Sequence, residues 1–423
     1  MPAGNAEVAM RILFANDGIG DAGGVQSYLD AVIPELIGRG HELGFLHYDH
    51  IKHDLVRSCC APELRKAISY FGILDLGEER ALAGVKSWKA DLCFSHNMNR
   101  LDIERSLLNQ MTVIKMMHGY FGSCVSGLKT LSFPSPKPCD RQFGLSCMAL
   151  YFPRRCGQMS VGKMLGQYRW AVSQRELFKD YTAVIVASEH MRREYANNGV
   201  AEDHLHVNPL FPANPSCEAR PPKAGARGQT ILFLGRMTAL KGGDVLIRAV
   251  AEAVDQTGQD IRLVMAGDGP QRNSWERLAA QLKVNADFTG WVTGEKHAEL
   301  LSVATLLAVP SIWPEPFGLV GLEGAFAAIP AIAFDVGGIS EWLRDGYNGY
   351  LAKASPPTPG ALAHVMIKAL SDKEGLDLMR AGARKVAIEM SLEKHVDRLE
   401  QIFARAAQKN LILQGGELQA GQQ

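Results

Sequence analysis

The sequence predicts an α/β protein with two parallel β-sheets, and two observations support this fold class. Short apolar stretches of strand length alternate with amphipathic stretches of helix length, which is typical of parallel strands joined by crossover helices. A segment without periodicity then separates two such series, and the 423 residues are enough for two hydrophobic cores.

Each series can be followed along the chain as candidate strands. In the first half these are residues 11–15, 43–48, 91–95, 113–117 and 183–187. In the second half they are residues 230–234, 262–266, 306–309 and 331–334. Residues 243–254 and 271–282 are typical of the helices between them. The intervening residues 208–228 are rich in Pro, Gly and Ala and predict a linker.

Composition and charge exclude several classes of protein. Hydrophobic residues make up 47% of the chain and charged residues 21%, as in ordinary globular proteins. The first ten residues lack the basic and apolar regions of a signal peptide, and no run of 18 apolar residues predicts a membrane span. We therefore expect a cytoplasmic protein whose eight cysteines are not disulfide-bonded by default.

The second half carries a candidate anion-binding turn. A strand ends at Gly235, and two cations, Arg236 and Lys241, flank the turn that follows. Arginine can bind phosphate oxygens bidentately, and lysine supplies a point charge, so a diphosphate would suit the pair. Taken alone, the turn is equally explained by ordinary exposed charges. Gly267 ends the next strand and permits a tight turn and close ligand approach.

The most informative segment runs from residue 315 to residue 323, with the sequence EPFGLVGLE. A strand leads into a Pro-rich loop, and we expect a helix to begin near Phe317 or Gly318, so that its free N–H groups face a bound anion. Glu315 lies in the loop and Glu323 about two turns into the helix. Two carboxylates that only accept hydrogen bonds suit sugar hydroxyls. Further on, two glycines at 337–338 precede another short helix, and a turn over residues 345–349 precedes a short strand.

Together these segments resemble the retaining glycosyltransferases of family four, which have the GT-B fold of two Rossmann-like domains facing a central cleft. The resemblance covers most of residues 235–352 and rests on the two glutamates, Glu315 and Glu323. It implies that Arg236 and Lys241 neutralise the donor diphosphate, and that Glu315 binds the transferred sugar. It also implies that Glu323 holds the ribose. The backbone that would cradle sugar and phosphate belongs to Phe317, Gly318, Leu319 and Val320.

The resemblance also implies a domain organisation. We expect an acceptor-side domain over residues 1–210, a linker over 211–229, and a nucleotide-sugar domain over 230–390. A helix over 391–410 would cross back to the first domain, ahead of a tail over 411–423.

The glycines after the first strand are the candidate N-terminal wall of the cleft. In the resemblance, Gly23 and Gly24 lie beneath the substrates, and His118, which follows the strand 113–117, contacts the reacting sugar. Gly18, Gly20 and Gly23 also form a literal G-x-G-x-x-G. An NAD(P)-dependent oxidoreductase therefore remains an alternative, although the acid that this fingerprint requires is matched only roughly by Asp49.

Four cysteines fall within residues 119–157, a segment rich in Pro, Gly and Arg that we interpret as an insertion. They are Cys124, Cys139, Cys147 and Cys156. Their spacing is long and irregular, but an insertion with little core pattern could need a staple, so a structural zinc site is one hypothesis and free or buried thiols are the other. The adjoining His118 could be drawn into such a site.

The same region is strongly basic. Residues 115–179 contain ten Lys and Arg against two Asp and Glu, although the whole chain has 45 of each class. A helix over 163–179 carries Leu165, Tyr168, Trp170, Val172 and Phe178 among its cations. It either lies on an anionic membrane or packs on its own domain with a solvated basic face. No nucleic-acid-binding module is recognised.

These observations predict a glycosyltransferase that moves a hexosyl-type sugar from a UDP- or GDP-linked donor to a glycan or lipid-linked hydroxyl. The resemblance implies retention, no cofactor requirement and a setting in bacterial polysaccharide or lipid-linked glycan synthesis. The chain would then be cytoplasmic or peripheral on the inner face of the membrane. A non-catalytic, glycosyltransferase-like binding subunit is the second alternative.

Overall fold

The fold consists of two parallel β-sheets covered by helices. A computed structural model describes residues 9–18, 24–49, 66–212 and 229–420, with side chains to residue 408. The predicted linker falls almost entirely outside these ranges.

The first sheet has seven parallel strands in the order β3-β2-β1-β4-β5-β8-β9. Its strands are β1 (Arg11–Ala15), β2 (Glu42–His47), β3 (Ile68–Gly72), β4 (Leu92–Ser95), β5 (Val113–Met117), β8 (Ala183–Val186) and β9 (Leu205–Val207). A separate antiparallel hairpin comprises β6 (Thr130–Leu131) and β7 (Lys137–Pro138).

The second sheet has six parallel strands in the order β12-β11-β10-β13-β14-β15. They are β10 (Gln229–Leu234), β11 (Ile261–Ala266), β12 (Ala286–Gly290), β13 (Leu306–Val309), β14 (Ala331–Phe334) and β15 (Gly349–Ala352). All nine candidate strands lie in these sheets. The short strand expected after the turn at residues 345–349 is β15. The sequence analysis missed β3, β9 and β12; of these, β9 is only three residues long, and β12 is partly exposed and contains Asp, Thr and Gly.

The described helices that connect and cover these strands are numbered in chain order. In the first half they are α1 (Gly24–Gly38), α2 (Ile73–Leu76), α3 (Glu78–Trp88), α4 (Leu101–Leu108), α5 (Leu145–Tyr151), α6 (Val161–Glu176) and α7 (Glu189–Asn197). In the second half they are α8 (Gly243–Thr257), α9 (Arg272–Gln281), α10 (Gly294–Val303), α11 (Val320–Phe326), α12 (Pro359–Ser371), α13 (Lys373–Glu389) and α14 (Leu392–Ala420). None of the helices in the described ranges is both long and apolar enough to cross a bilayer.

Helix α14 returns to the first sheet. Its buried side chains Val396, Leu399 and Phe403 pack in one cluster with Phe14 of β1 and Tyr28 of α1. Phe94 and Phe403 meet edge to face, with ring centroids 5.1 Å apart. The last helix is therefore part of the core of the first sheet, although almost 200 residues separate it from β9.

The insertion has a small core of its own. Val125, Phe143, Tyr151, Met164 and Ala171 form a buried cluster between α5 and α6. Lys129 is also buried and pairs with Glu194 of α7 at 2.6 Å. The sequence showed little apolar periodicity here, because this core is assembled from short, irregular pieces.

Gly243 provides a test of the packing in the second half. A Cβ at this position would lie 2.4 Å from the buried ring of Trp275 in α9. We expect Gly243→Ala to lower the stability of this half by about 1–3 kcal/mol through overpacking, measured as a shift in the urea unfolding midpoint.

Gly166→Ala is the matched control, since a Cβ there meets nothing within 4 Å on helix α6. This change should be neutral or should stabilise the protein by up to about 1 kcal/mol. Equal midpoints for the two variants would contradict the proposed packing of α8 against α9.

Candidate active site

The two sheets present the carboxyl ends of their strands to a common cleft, which is where ligands bind in open α/β sheets. The cleft has a volume of about 790 Å³ and is lined by residues of both halves. The residues that the sequence singled out and that line the cleft are Gly24, His118, Gly235, Arg236, Lys241, Gly267, Glu315, Phe317, Gly318, Leu319, Val320 and Glu323. Gly23 and Gly20 lie outside the described residues. The structure thus gathers almost the whole candidate site.

Glu315 is the most constrained of these residues. It is only 4% exposed, and its Oε1 accepts hydrogen bonds from Lys241 Nζ at 2.5 Å and from Ser311 Oγ at 2.6 Å. Because a buried carboxylate is costly unless it is paired, these two partners account for its position. Lys241 Nζ also lies 5.8 Å from the centre of the Trp313 ring.

The loop after Glu315 is held by a tryptophan. Trp342 is fully buried and donates from its Nε1 to the carbonyl of Phe317 at 2.8 Å. Gly318 has a φ of +87°, which favours glycine. Helix α11 begins at Val320, slightly later than expected, so residues 317–319 form the loop that faces the cleft.

The turns after β10 and β11 touch each other. A Cβ at Gly267, where φ is +135°, would lie 2.0 Å from the carbonyl oxygen of Gly235. This close approach explains why glycine is needed at position 267. Arg236 directly follows Gly235, and its side chain is exposed at the cleft.

Glu323 lies further along the same wall. Its Oε2 is 3.2 Å from Nε2 of His297 on α10, and Glu323 remains partly accessible. The neighbouring Trp291 is 67% exposed and also lines the cleft. An acidic group, an imidazole and an exposed aromatic ring are therefore available to a polar ligand with a flat ring.

The opposite wall is formed by the first sheet. Helix α1 begins at Gly24, and His118 follows β5, as expected. His118 Nε2 lies 2.9 Å from Nδ1 of the fully buried His96. Burial, together with the nearby charge of Lys115, lowers the pKa of His118 to about 3, so this imidazole is neutral at physiological pH.

A second buried histidine connects this wall to the crossing helix. His395 of α14 donates from Nδ1 to the carbonyl of Pro209 at 2.8 Å, because that oxygen can only accept. A neutral His395 therefore accepts at Nε2 from the hydroxyl of Tyr28, at 2.9 Å. Burial lowers the pKa of His395 to about 4, which favours this neutral form.

The two halves also make direct contact beside the cleft. Ser188 caps α7 by accepting from Met191 N at 3.2 Å. Its hydroxyl additionally donates to the carbonyl of Pro316 in the second half, at 2.8 Å. Nearby, Glu189 N donates to Glu341 Oε1 at 2.6 Å. Residues 188–189 thus join the first sheet to the loop that carries Glu315.

Several residues of the site were missed by the sequence analysis. His96 follows β4, and a polar residue at the carboxyl end of a parallel strand is the signal that could have found it. His297 and His395 lie within helices, and their partners are distant in sequence. No local pattern marks them.

The four cysteines of the insertion lie near one another. Burial raises the pKa of Cys156 to about 11, and the nearby thiols of Cys124, Cys139 and Cys147 add to the effect. Within the described ranges, however, no three His, Cys, Asp or Glu side chains are grouped as metal ligands. His118, which the sequence also made a candidate for such a site, instead hydrogen-bonds His96 and lines the cleft. The zinc site stays a prediction.

The basic helix packs on its own half of the protein. Leu165, Tyr168 and Val172 contact the core of the insertion, and Phe178 is 1% exposed. Trp170 donates from Nε1 to the carbonyl of Asn99 at 2.9 Å. This packing matches the second of the two alternatives, in which the helix packs on its own domain, because its apolar side chains face inward.

Comparison with known proteins finds a family match in the second half. Residues 219–386 match the family model of glycosyl transferases group 1. The wall of the cleft formed by the second half lies within the matched residues. An α-D-kanosaminyltransferase of Streptomyces kanamyceticus is 33% identical over 178 residues, which cover 41% of this chain and 45% of that protein. The chain thus matches less than half the length of this curated relative.

Solved structures extend the likeness to nearly the whole chain. A glycosyltransferase of Rickettsia africae aligns with a TM-score of 0.68 and 17% identity, covering 94% of this chain and 98% of that one. The Anabaena protein HepE in complex with UDP aligns with a TM-score of 0.67 and 18% identity, covering 94% and 100%. At this identity the likeness establishes the fold, which is GT-B, as expected.

His395 generates a prediction about pH. Its pKa is about 4 in the folded protein and 6.5 as the ordinary value, so the unfolded chain binds the proton first as pH falls. The stabilising contribution is complete above about pH 6.5 and is lost toward pH 4. Between pH 7.5 and 5 we expect this residue to account for a loss of about 2 kcal/mol in the free energy of unfolding.

The test compares the pH dependence of urea unfolding in the wild type, in His395→Gln and in His364→Gln. Glutamine can accept from Tyr28 without titrating, so His395→Gln should show the shallower slope. His364 is exposed and serves as the control, with an unchanged slope. Identical slopes for all three proteins would show that His395 does not titrate as described.

The zinc hypothesis is tested by metal analysis of the purified chain. The four-thiolate hypothesis predicts about one equivalent of zinc and a lower melting temperature with a chelator, whereas free or buried thiols predict no zinc and no effect of the chelator. Cys139→Ser should reduce the zinc content, whereas Cys93→Ser should not, because Cys93 is buried in β4 away from the insertion. Less than about 0.2 equivalents in the wild type would exclude a four-thiolate site.

Proposed function

We propose that this chain is a glycosyltransferase that moves a sugar from a nucleoside-diphosphate sugar to a hydroxyl acceptor. The observation that carries the proposal is the composition of the cleft. Two cations, a glycine-rich loop and two carboxylates lie on one wall, and a neutral histidine lies on the other. The family match of residues 219–386 supports the same activity.

The donor is proposed to bind along the second half. Arg236 and Lys241 would neutralise the diphosphate, and the backbone of residues 317–320 would surround the sugar and phosphate. Glu315 would accept from sugar hydroxyls, and Glu323 from the ribose. UDP is the first nucleotide to test, because solved GT-B neighbours hold UDP and UDP-glucose.

We further propose transfer with retention of the anomeric configuration. The acidic residues that line the described cleft are Glu315 and Glu323, and each already has a cationic partner or imidazole within reach. A front-face route fits this environment better than an enzymatic nucleophile. The bond between the sugar and the diphosphate breaks with its electron pair on the phosphate oxygen, the acceptor oxygen bonds to the anomeric carbon, and the acceptor's proton passes to the departing phosphate.

The acceptor is proposed to approach from the first half. A smaller cavity of about 200 Å³ adjoins the cleft there and shares Asn97 and Phe121 with it. Trp170 and Asn99 also line this cavity. Its amide and aromatic side chains are compatible with a sugar or another hydroxyl-bearing ring as the acceptor group.

A donor screen tests the activity. The chain is incubated with UDP-, GDP- and ADP-glucose, and the released nucleoside diphosphate is measured. Release from UDP-glucose above the level of a no-protein control is expected. The oxidoreductase alternative predicts tight NAD(P)H binding and no release. A non-catalytic subunit would bind the nucleotide sugar without releasing the diphosphate.

Variants of the ion pair test the site assignment. Lys241→Ala and Glu315→Ala should each reduce transfer by at least about a hundredfold, because each removes a group aimed at the charge or the hydroxyls of the donor. Initial rates and nucleotide affinity are measured for each. Lys353→Ala, an exposed lysine of the same half, is the control and should retain full activity. Full activity in either site variant would contradict the assignment.

We also propose that the insertion binds an anionic membrane surface, which would bring a lipid-linked acceptor to the cleft. Four large apolar side chains in residues 119–163 are at least one-third exposed and are not among the residues that line the cleft: Phe133, Leu145, Met159 and Val161. Lys137, Arg141, Arg155 and Lys163 are exposed in the same segment. Exposed apolar and basic groups together suit an interface with negatively charged lipids.

Vesicle flotation tests this proposal. The wild type should float with phosphatidylglycerol vesicles but not with phosphatidylcholine vesicles, and salt should weaken the binding. The double change Leu145→Ser and Met159→Ser should reduce flotation, whereas Leu378→Ser, at a 74% exposed position in the second half, should not. A wild type that stays unbound with anionic vesicles would contradict the proposal.

A further inference from the structure

The contact between His96 and His118 determines how His118 can act. His118 Nε2 lies 2.9 Å from His96 Nδ1, so one of these nitrogens donates a hydrogen to the other. The two rings lie side by side, with centroids 5.2 Å apart. Which nitrogen donates decides whether His118 offers a donor or an acceptor to the cleft.

The surroundings of His96 keep its ring fixed and uncharged. It is 0% exposed, lies edge to face with Phe94 at 4.3 Å and stacks on Phe14 at 5.7 Å. The ammonium group of Lys115 donates to the backbone carbonyl of His96 at 2.6 Å. Burial, with the charge of Lys115, lowers the pKa of His96 well below its usual range. A neutral His96 carries hydrogen on only one nitrogen.

The environment of Nε2 indicates which nitrogen of His96 carries the hydrogen. His96 Nε2 is buried and has no hydrogen-bond partner among the residues that the structure describes. If the hydrogen were on Nε2, a buried N–H donor would be left unpaired, which native proteins avoid more strictly than an unpaired acceptor. The hydrogen is therefore better placed on Nδ1, from which it is donated to His118 Nε2.

This arrangement fixes the other side of His118. With Nε2 accepting, a neutral His118 must carry its hydrogen on Nδ1. His118 Nδ1 is not among the buried polar atoms that lack a partner, and His118 lines the cleft. The edge of its ring is further restrained by Tyr28, whose centroid lies 5.4 Å away. Tyr28 is itself held by His395.

We propose that His96 is a positioning residue that holds His118 in the tautomer with hydrogen on Nδ1. His118 then donates a hydrogen bond from Nδ1 to a substrate oxygen in the cleft and does not act as a general base. The functional part of this inference rests on the proposed glycosyl transfer, whereas the tautomer itself does not. It assigns a role to His96, which lines the smaller cavity but not the main cleft.

Nitrogen-15 NMR of the histidine side chains tests the tautomer directly. The full chain is labelled at histidine, and the signals of His118 are assigned from their loss in His118→Gln. In the wild type we expect Nδ1 to be protonated and Nε2 unprotonated at pH 7. Protonation at Nε2 in the wild type would overturn the proposal, whatever the activity of the protein.

Two substitutions at position 96 separate the hydrogen bond from packing. Asparagine can place an amide N–H near the position of Nδ1, so His96→Asn should keep the tautomer of His118. His96→Leu fills similar space without a donor and should give a mixture of His118 tautomers. Melting temperatures identify any variant that fails to fold, in which case His96→Asn and the wild-type spectrum still decide the question.

Kinetics then tests the consequence for transfer. We expect His96→Leu to lower kcat by at least about tenfold while leaving the affinity for the nucleoside diphosphate unchanged. His96→Asn should recover most of this loss. Equal kcat values in the wild type and His96→Leu would overturn the positioning role. If the wild type transfers no sugar, the proposed function fails, and the NMR result still stands or falls independently.

Discussion

A single buried carboxylate connects the parts of the cleft wall that the second half forms. The side chain of Glu315 is held by Lys241, from the turn after β10, and by Ser311, from the loop after β13. Its backbone carbonyl accepts from Gly338 N at 2.7 Å, in the turn after β14. A Cβ at Gly337 would lie 2.2 Å from the same carbonyl. Three strand ends thus meet at one residue, so the geometry of the wall depends on keeping the hydrogen bonds of Glu315.

The position of Lys241 follows from this requirement. Without a ligand, its ammonium group balances the buried carboxylate and lies near the Trp313 ring. A diphosphate would offer it a second anionic partner. The Lys241 side chain is therefore already ordered where a diphosphate would meet it. Binding would not have to supply the entropy cost of ordering this side chain, so the site is preorganised.

Much of the fold and of the second half's wall of the cleft could be predicted from the sequence. Buried parallel strands are nearly continuous apolar stretches, and Gly235, Gly267 and Gly318 mark turns whose backbone conformations favour glycine. Contacts between distant residues could not be predicted. Lys241 and Glu315 are 74 positions apart, and Tyr28 and His395 are 367 apart, so no local pattern relates them. The core of the insertion could not be predicted either, because it is assembled from short, irregular pieces that show no periodicity.

The path of helix α14 has a consequence for dissecting this protein. One face of the first sheet is covered by Val396, Leu399 and Phe403. The side chain of His395 hydrogen-bonds both Tyr28 and the carbonyl of Pro209, close to the end of the first half. A fragment that ends within residues 213–228 would expose the apolar surface that α14 covers, with Phe14 and Phe94 beneath it. A C-terminal fragment would carry an unmatched apolar helix. The two halves are therefore unsuited to separate expression, and a useful truncation must retain α14 through Ala406.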